Sequence, residues 1–281
     1  TLQMILDWPK VYKEKLTDAH TALSRIKRGS RIFIASACGE PQLLVSTLLE
    51  MAMSFADVEI IHFLDLGLTD YTADVYTDHF RHNALFIGAN AREAIKKGHA
   101  DYTPIFLSEV PLLMQRGAMP VDVALITVSP PDMNGYVSLG ISVDITKTAA
   151  EVAKYVVAEV NPNMPRTLGD SFLHVSQISA FVNNDKPLLE FQQTSPDNIA
   201  WAIGHLIADL IDNESTIQMG VGKIPNSVFP YLSNKKDLGV HTETFTDGLM
   251  DLIENGVVTC RKKSLHPGKV VASFCMGTRR L

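Results

Sequence analysis

Two short segments carry residue types that could do acyl chemistry: Gln218-Met219-Gly220-Val221-Gly222-Lys223-Ile224-Pro225 and His241-Thr242-Glu243. A Gly-x-Gly turn leaves backbone N–H groups free, and Pro225 suits the first turn of a helix that follows. Free N–H groups at such a turn fit an anion or a developing oxyanion. A carboxylate beside them could attack an activated carbonyl while the donors hold the negative charge. Glu243 follows the strand-like run 238–240, so it falls at the carboxyl end of a strand, where ligands of parallel α/β sheets gather. The turn reads equally as a sterically required one, while Glu243 by residue type alone reads first as a solvated surface acid, and local pattern leaves the nucleophile reading open.

Nearby motifs exclude other chemistries. A phosphate-binding Walker loop needs Ser or Thr after Lys223, where Ile224 stands, and its first glycine would fall at Ile217. A dinucleotide fingerprint would need glycine at Pro225. His241 lies two residues before Glu243, so strand alternation puts both on one face. His79 and His82 have the i, i+3 spacing of a helical zinc pair, but no third ligand follows at convincing spacing, and no metal is expected. The three cysteines, Cys38, Cys260 and Cys275, lack metal-like spacing and imply a reduced, cytoplasmic setting. Cys38 precedes a glycine at a strand-to-helix turn. A reactive thiol is conceivable there, and a buried structural one is the preferred reading. Arg261-Lys262-Lys263 reads first as a solvated loop and second as a contact for an anionic ligand.

The elements that must position these residues alternate along the chain. RIFIAS (31–36), VEIIHFL (58–64), LFIGA (85–89) and VDVALITVS (121–129) read as strands; PQLLVSTLLEMAMSF (41–55) and AREAIKKG (91–98) read as helices, the second stopped by Gly98. This is the pattern of βαβ units with helices covering a parallel sheet. PPDMNGYVSLGISVD (130–144) follows as a turn-rich loop. Residues 199–211 predict a helix, 215–220 a strand, 223–232 a helix and 269–277 a strand. Residues 247–256 predict a helix with Asp247 as N-cap and Gly256 as C-cap. The expected division is an N-terminal α/β domain over 1–185, a linker over 186–198, and a second α/β domain over 199–281 that reads as incomplete. With 281 residues, 46% hydrophobic and 20% charged, the chain can build two adjoining cores. A net charge of −6 with no basic stripe argues against nucleic acid. No apolar run approaches the roughly 18–20 residues of a membrane span, and no signal peptide opens the sequence.

The run GVGKIPNSV…LGVHTETFTDGL resembles the acetyl-CoA hydrolase/transferase family, in particular its 4-hydroxybutyrate and acetate/butyrate CoA-transferase members. ADYTPIFLSEVP (100–111), VSPPDMNGYVSLGISVD (128–144) and NPNMPRTLGDSFLHVSQI (161–178) resemble further family signatures. The resemblance implies two open, mainly parallel-sheet CoA-transferase-like domains. It also implies ping-pong transfer of CoA between an acyl-CoA and a small carboxylate, through a glutamyl-CoA thioester. Glu243 would be the nucleophile, with Gln218, Gly220, Val221 and Gly222 forming the oxyanion and CoA-binding turn. Pro130, Asn134, Gly135, Tyr136 and His241 would line the substrate pocket. Acyl-CoA enters as substrate, with no permanently bound cofactor, and a homo-oligomer is expected. Family members run roughly a domain further, so a second chain could supply the remainder. The alternatives are an acyl-CoA hydrolase using the same intermediate, and a non-catalytic binding module or inactive fragment.

Overall fold

Val123–Val128 is buried at all six positions, as a strand covered on both faces must be. The computed structural model describes residues 7–66 and 70–281 and divides into two units, residues 1–189 and 190–281. The division falls inside the polar stretch 186–198.

The first unit holds β1 (Arg31–Ile34), β2 (Val58–His62), β3 (Phe80–Ala84), β4 (Ala100–Tyr102), β5 (Val123–Val128), β6 (Tyr136–Ser138), β7 (Tyr155–Val160), β8 (Phe172–His174) and β9 (Ala180–Asn183). Seven of these form one sheet in the order β4-β3-β2-β1-β5-β7-β9, and every neighbouring pair is parallel. Alternate residues of the same strands feed two cores. Phe33, Ile61, Ile126 and Phe181 pack on one face. Ile32, Ile34, Ile60 and Leu125 pack on the other, together with Leu44 and Leu48 of the helix Gln42–Glu50. The chain winds outward from β1 to β4, then returns to β5 on the other side of β1. The strand order therefore reverses between β1 and β5, and the loops leaving their carboxyl ends flank the place where open α/β sheets bind ligands.

The expected strand LFIGA (85–89) is a correction. The strand is the preceding segment, Phe80–Ala84, and its burial alternates. Arg81 pairs with Asp101, and the Asn83 amide donates to Glu59 at 2.9 Å, so polar residues are satisfied within the sheet. His82 belongs to β3 and His79 precedes it, so the two do not share a helix face; His79 Nδ1 bonds the Phe55 carbonyl at 2.8 Å.

Buried carboxylates are frequent here. Glu159 of β7, 1% exposed, accepts the Leu43 and Leu44 N–H groups at 2.9 and 3.1 Å, and a bond from the Asn184 amide. It thereby covers the start of the helix Gln42–Glu50, whose own N-cap, Pro41, offers no side-chain bond. Burial lifts the Glu159 carboxyl above its ordinary range although these donors pull the other way. Burial, with the charges of Asp65 and Glu159 adding, pushes Glu40 up to about 8.

The second unit contains the helix Asn198–Asp209, β10 (Thr216–Ile217), the helix Lys223–Val228, β11 (Gly239–Val240), β12 (Thr244–Phe245), the helix Asp247–Glu254 and β13 (Phe274–Cys275). Its core gathers Ile217, Val228, Leu232, Leu238, Val240, Leu249 and Val258. Thr246, not Asp247, is the N-cap of Asp247–Glu254. Asp247 instead accepts the Thr278 N–H at 3.0 Å and its hydroxyl at 3.2 Å, tying 278 to the helix start. Gly256, expected as C-cap, stands one place beyond Asn255 with φ +72°.

Lys263 is a third correction to the sequence reading. It is 5% exposed, not solvated, and its Nζ donates to the carbonyls of Val240 at 3.0 Å and Lys269 at 2.7 Å. Its stem crosses Gly239, where a Cβ would stand 2.6 Å from Lys263 Cγ and 2.7 Å from Thr216 Oγ1. Only glycine leaves room for that crossing. Among the described residues no helix is long and apolar enough to cross a membrane.

Candidate active site

The extended run 238–245 is the middle strand of the second unit. β10 pairs with β11 on one side, with Thr216 level with Gly239 and Ile217 with Val240. β12 pairs with β13 on the other, with Thr244 level with Phe274, and an isolated bridge sets His241 beside Val271. Glu243 lies at the bend between the two ladders. Its carbonyl accepts the N–H groups of Ser273 at 2.9 Å and Phe274 at 3.2 Å.

Thr242 carries the register past the end of β10. Its hydroxyl accepts the Met219 N–H at 3.2 Å and donates to the Met219 carbonyl at 3.0 Å. The His241 N–H reaches the Ile217 carbonyl at 3.1 Å. Counting on from Ile217 and Val240, Gln218 falls level with His241, Met219 with Thr242, and Gly220 with Glu243. Thr242 and Thr244 are buried while His241 and Glu243 are exposed. In the flanking strand Ile217 and Met219 are buried and Gln218 is exposed. Residues level on adjacent strands share a face. By this count the exposed Gln218 and His241 share a row with the half-buried Val271, and the exposed Gly220 and Glu243 fall in the next with the half-buried Ser273.

The Gly-x-Gly turn leads directly from this row into the helix Lys223–Val228. Gly222 has φ +140° and ψ 179°, a conformation open in practice only to glycine. Among the described residues the N–H groups of Gly220, Val221 and Gly222 donate no hydrogen bond to another residue. The helix is six residues long and then tightens to a 3-10 turn. Any anion binding here rests on the three free N–H groups more than on a helix dipole. A carboxylate with loose donors on one side can attack a carbonyl and stabilise the oxyanion formed.

Sequence reasoning missed Thr242 and Ser273. Nothing in their residue types marks them; only the strand pairing puts the Thr242 hydroxyl on the backbone of Met219 and the Ser273 N–H on the Glu243 carbonyl.

The remaining predicted residues lie in the first unit, on the loop leaving β5 at the strand-order reversal. Asp132 accepts the N–H groups of Asn134 at 2.8 Å and Tyr136 at 2.9 Å, closing a turn through Asn134 and Gly135. Gly135 is buried with φ +81°, against Trp8 and His174. Pro130 and Asn134 are exposed, and Tyr136 stands edge-on to the His174 ring at 5.0 Å. β6 then pairs antiparallel with β8. Arg166, not singled out in the sequence, braces this loop. It donates to Asp132 at 2.9 Å and to the Tyr136 carbonyl at 3.1 Å, and its guanidinium lies over the Phe172 ring at 5.0 Å. Partial burial raises the Asp132 carboxyl, but the Tyr136 and Asn134 N–H groups and the Arg166 charge outweigh it and hold it low. Asp132, Tyr136, Arg166 and Phe172 line an open cavity of about 250 Å³. Cys38 is buried.

The family model described as the acetyl-CoA hydrolase/transferase N-terminal domain matches residues 6–191. The 4-hydroxybutyrate coenzyme A transferase of Clostridium kluyveri is 50% identical over 98% of this chain and 64% of its own length. The succinyl-CoA:acetate/propanoyl-CoA:succinate CoA transferase of Fasciola hepatica is 42% identical over 91% of this chain and 54% of its own. The crystal structure of RipA from Yersinia pestis superposes with a TM-score of 0.93 at 33% identity, covering 98% of this chain and 66% of that one. The chain thus spans about two thirds or less of the length of these relatives. With a family model over most of its length and relatives this similar, the chain belongs to the acetyl-CoA hydrolase/transferase family.

Proposed function

We propose that this chain serves the transfer of coenzyme A between an acyl-CoA and a small carboxylate of the acetate, butyrate or 4-hydroxybutyrate class, with Glu243 as nucleophile. The observation that carries the reading is that Thr242, the residue before the exposed Glu243, fastens Met219, the residue before the Gly-x-Gly turn. An exposed carboxylate is held by its own backbone beside a turn whose N–H groups are free. The relatives' printed activities, CoA transfer to and from hydroxybutyrate, acetate, propionate and succinate, support the substrate class.

The chemistry proceeds by exchange. A Glu243 oxygen attacks the thioester carbonyl, a C–O bond forms, the C–S bond breaks, and CoA leaves as thiolate. The thiolate then attacks the Glu243 carbonyl of the resulting anhydride. A C–S bond forms, the anhydride C–O bond breaks, and the first acid departs as carboxylate. A second carboxylate reverses both steps and leaves as its CoA ester. The N–H groups of Gly220, Val221 and Gly222 hold each tetrahedral oxyanion, and Gln218 and His241 orient the carboxylates from the adjoining row.

Incubation with acyl-CoA followed by intact-mass measurement tests this. A CoA-sized adduct is expected, absent in Glu243→Ala and discharged by added acetate or butyrate. A folded protein that forms no adduct sinks the proposal. Hydrolysis is the second reading, favoured by the exposure of Glu243 to water. Thioester loss at full rate without an added acid would identify it.

A further inference from the structure

The carboxyl edge of the first unit's sheet holds a polar cluster that the transfer chemistry does not use. Glu40 sits on the loop after β1, His62 is the last residue of β2, and Asp65 follows three residues later. Glu40 is 2% exposed and His62 1%. Both carboxyl oxygens of Glu40 are buried without a hydrogen-bond partner. Among the described residues no lysine or arginine bonds to Glu40. Even with a proton held, buried carboxyl oxygens that make no hydrogen bond are costly, and a group from outside the protein could satisfy them.

The geometry names that group. One ligand atom from each of Glu40, His62 and Asp65 lies within 4.8 Å of the others. Nitrogen and oxygen ligands stand about 2.0–2.2 Å from a zinc-like ion, so two ligands on one ion lie at most roughly 4.4 Å apart. A small side-chain rotation closes the difference. His62 is already oriented for the role. Its Nε2 lies 3.2 Å from the Ala35 carbonyl, which can only accept, so Nε2 carries the proton and Nδ1 keeps its lone pair. That is how a metal-ligating imidazole is usually fixed, with one nitrogen donating to a backbone carbonyl and the other facing the ion. Nδ1 now faces the Tyr71 hydroxyl at 2.7 Å. Next to it the His82 ring meets Tyr71 edge-on, 3% exposed and with both nitrogens unpartnered.

We propose that Glu40, His62 and Asp65 bind one divalent transition-metal ion. An imidazole with two carboxylates suits Zn²⁺ or Mn²⁺ better than the all-oxygen cations Mg²⁺ and Ca²⁺. The ion supplies a partner for the buried Glu40 carboxyl and ties the ends of β1 and β2 together. This site stands independently of the Glu243 chemistry.

The test is a Zn²⁺ titration of the chelator-stripped chain by calorimetry, with elemental analysis after desalting. One equivalent per chain is expected, lost in Glu40→Gln and in Asp65→Asn, with circular dichroism confirming that each variant folds. Tyr71→Phe, which removes the hydroxyl that competes for the His62 Nδ1 lone pair, is expected not to weaken binding. No equivalent on the unaltered chain, or one that persists in Glu40→Gln, overturns the proposal. Should both variants fail to fold, Co²⁺ added to the unaltered chain decides. Weak visible bands alone mark nitrogen and oxygen ligands and support the site. An intense near-ultraviolet thiolate band places the ion on Cys38, Cys260 or Cys275 and overturns it.

Discussion

Replacing Thr242 by valine removes one hydroxyl and almost no volume. In the native chain that hydroxyl satisfies both backbone groups of Met219, at 3.2 and 3.0 Å. Thr242 is 5% exposed and Met219 9%, so water cannot easily take over. A buried polar group left unsatisfied costs about 1–3 kcal/mol. If the fold absorbs the loss, the second unit's melting temperature drops by about 4–8 °C per kcal/mol, as for a domain of 60–100 residues. If the turn instead swings out to hydrate, the cost moves to positioning. Gly220 and Gly222 then leave the side of Glu243, and adduct formation from acyl-CoA slows by about 5- to 150-fold, the rate equivalent of 1–3 kcal/mol. Thr242→Ser keeps the hydroxyl and is expected to stay near the unaltered rate. The assay is the time course of the CoA adduct by intact mass, with a melting curve for each variant. A valine variant with unaltered rate and melting temperature would refute the reasoning. So would a serine variant impaired as much as the valine one.

Three further outcomes are expected. Gly222→Ala forces a Cβ onto φ +140° and is expected to cost about 1–3 kcal/mol, read as a lower melting temperature with slower adduct formation. Lys263→Met keeps the stem over Gly239 but strands the Val240 and Lys269 carbonyls, so denaturant unfolding should show a loss of about 1.5–3 kcal/mol, the worth of hydrogen bonds from a charged group. Glu159 has a folded pKa above the ordinary 4.5, so the native state holds its proton more firmly than the unfolded chain does. The stability from this group is fully present below pH 4.5 and is lost as pH rises through the raised value. Glu159→Gln should flatten that decline in a series of melting curves.

What could be read from the chain depended on whether burial or register decided the matter. β1, β2 and β5 were legible because two-sided burial writes continuous apolar runs such as Val123–Val128. β3 was not, because Arg81 and Asn83 find charged and amide partners within the sheet and so look like surface residues. Lys263 was misread for a related reason. Its charge is satisfied by two backbone carbonyls, and carbonyls leave no mark on the sequence. Glu243 and the Gly-x-Gly turn stood out by residue type, and strand order explains why they should share an edge. Thr242, Ser273 and Arg166 matter only through what lies level with them or across from them, and one-dimensional spacing does not carry that.

The two units treat their acids in opposite ways, and the difference follows from what each acid has to do. Glu40 and Glu159 in the first unit are buried and Asp144 is half-buried, and desolvation raises all three. A raised carboxyl is protonated more readily, and a protonated acid is a poor nucleophile. Such residues can cap a helix, as Glu159 does, or ligate an ion. They are badly placed to attack a thioester. Glu243 is exposed, so its carboxylate is open to an incoming substrate. What exposure sacrifices is position, because a solvated side chain moves freely. The fold recovers position through the backbone. The Glu243 carbonyl accepts two N–H groups from 273 and 274, and the residue before it fastens the turn at 219. An acid held at its main chain from both sides, with its carboxylate left in water, can be both reached and aimed. That combination, more than the residue type, is why Glu243 stands apart from the other carboxylates of the chain.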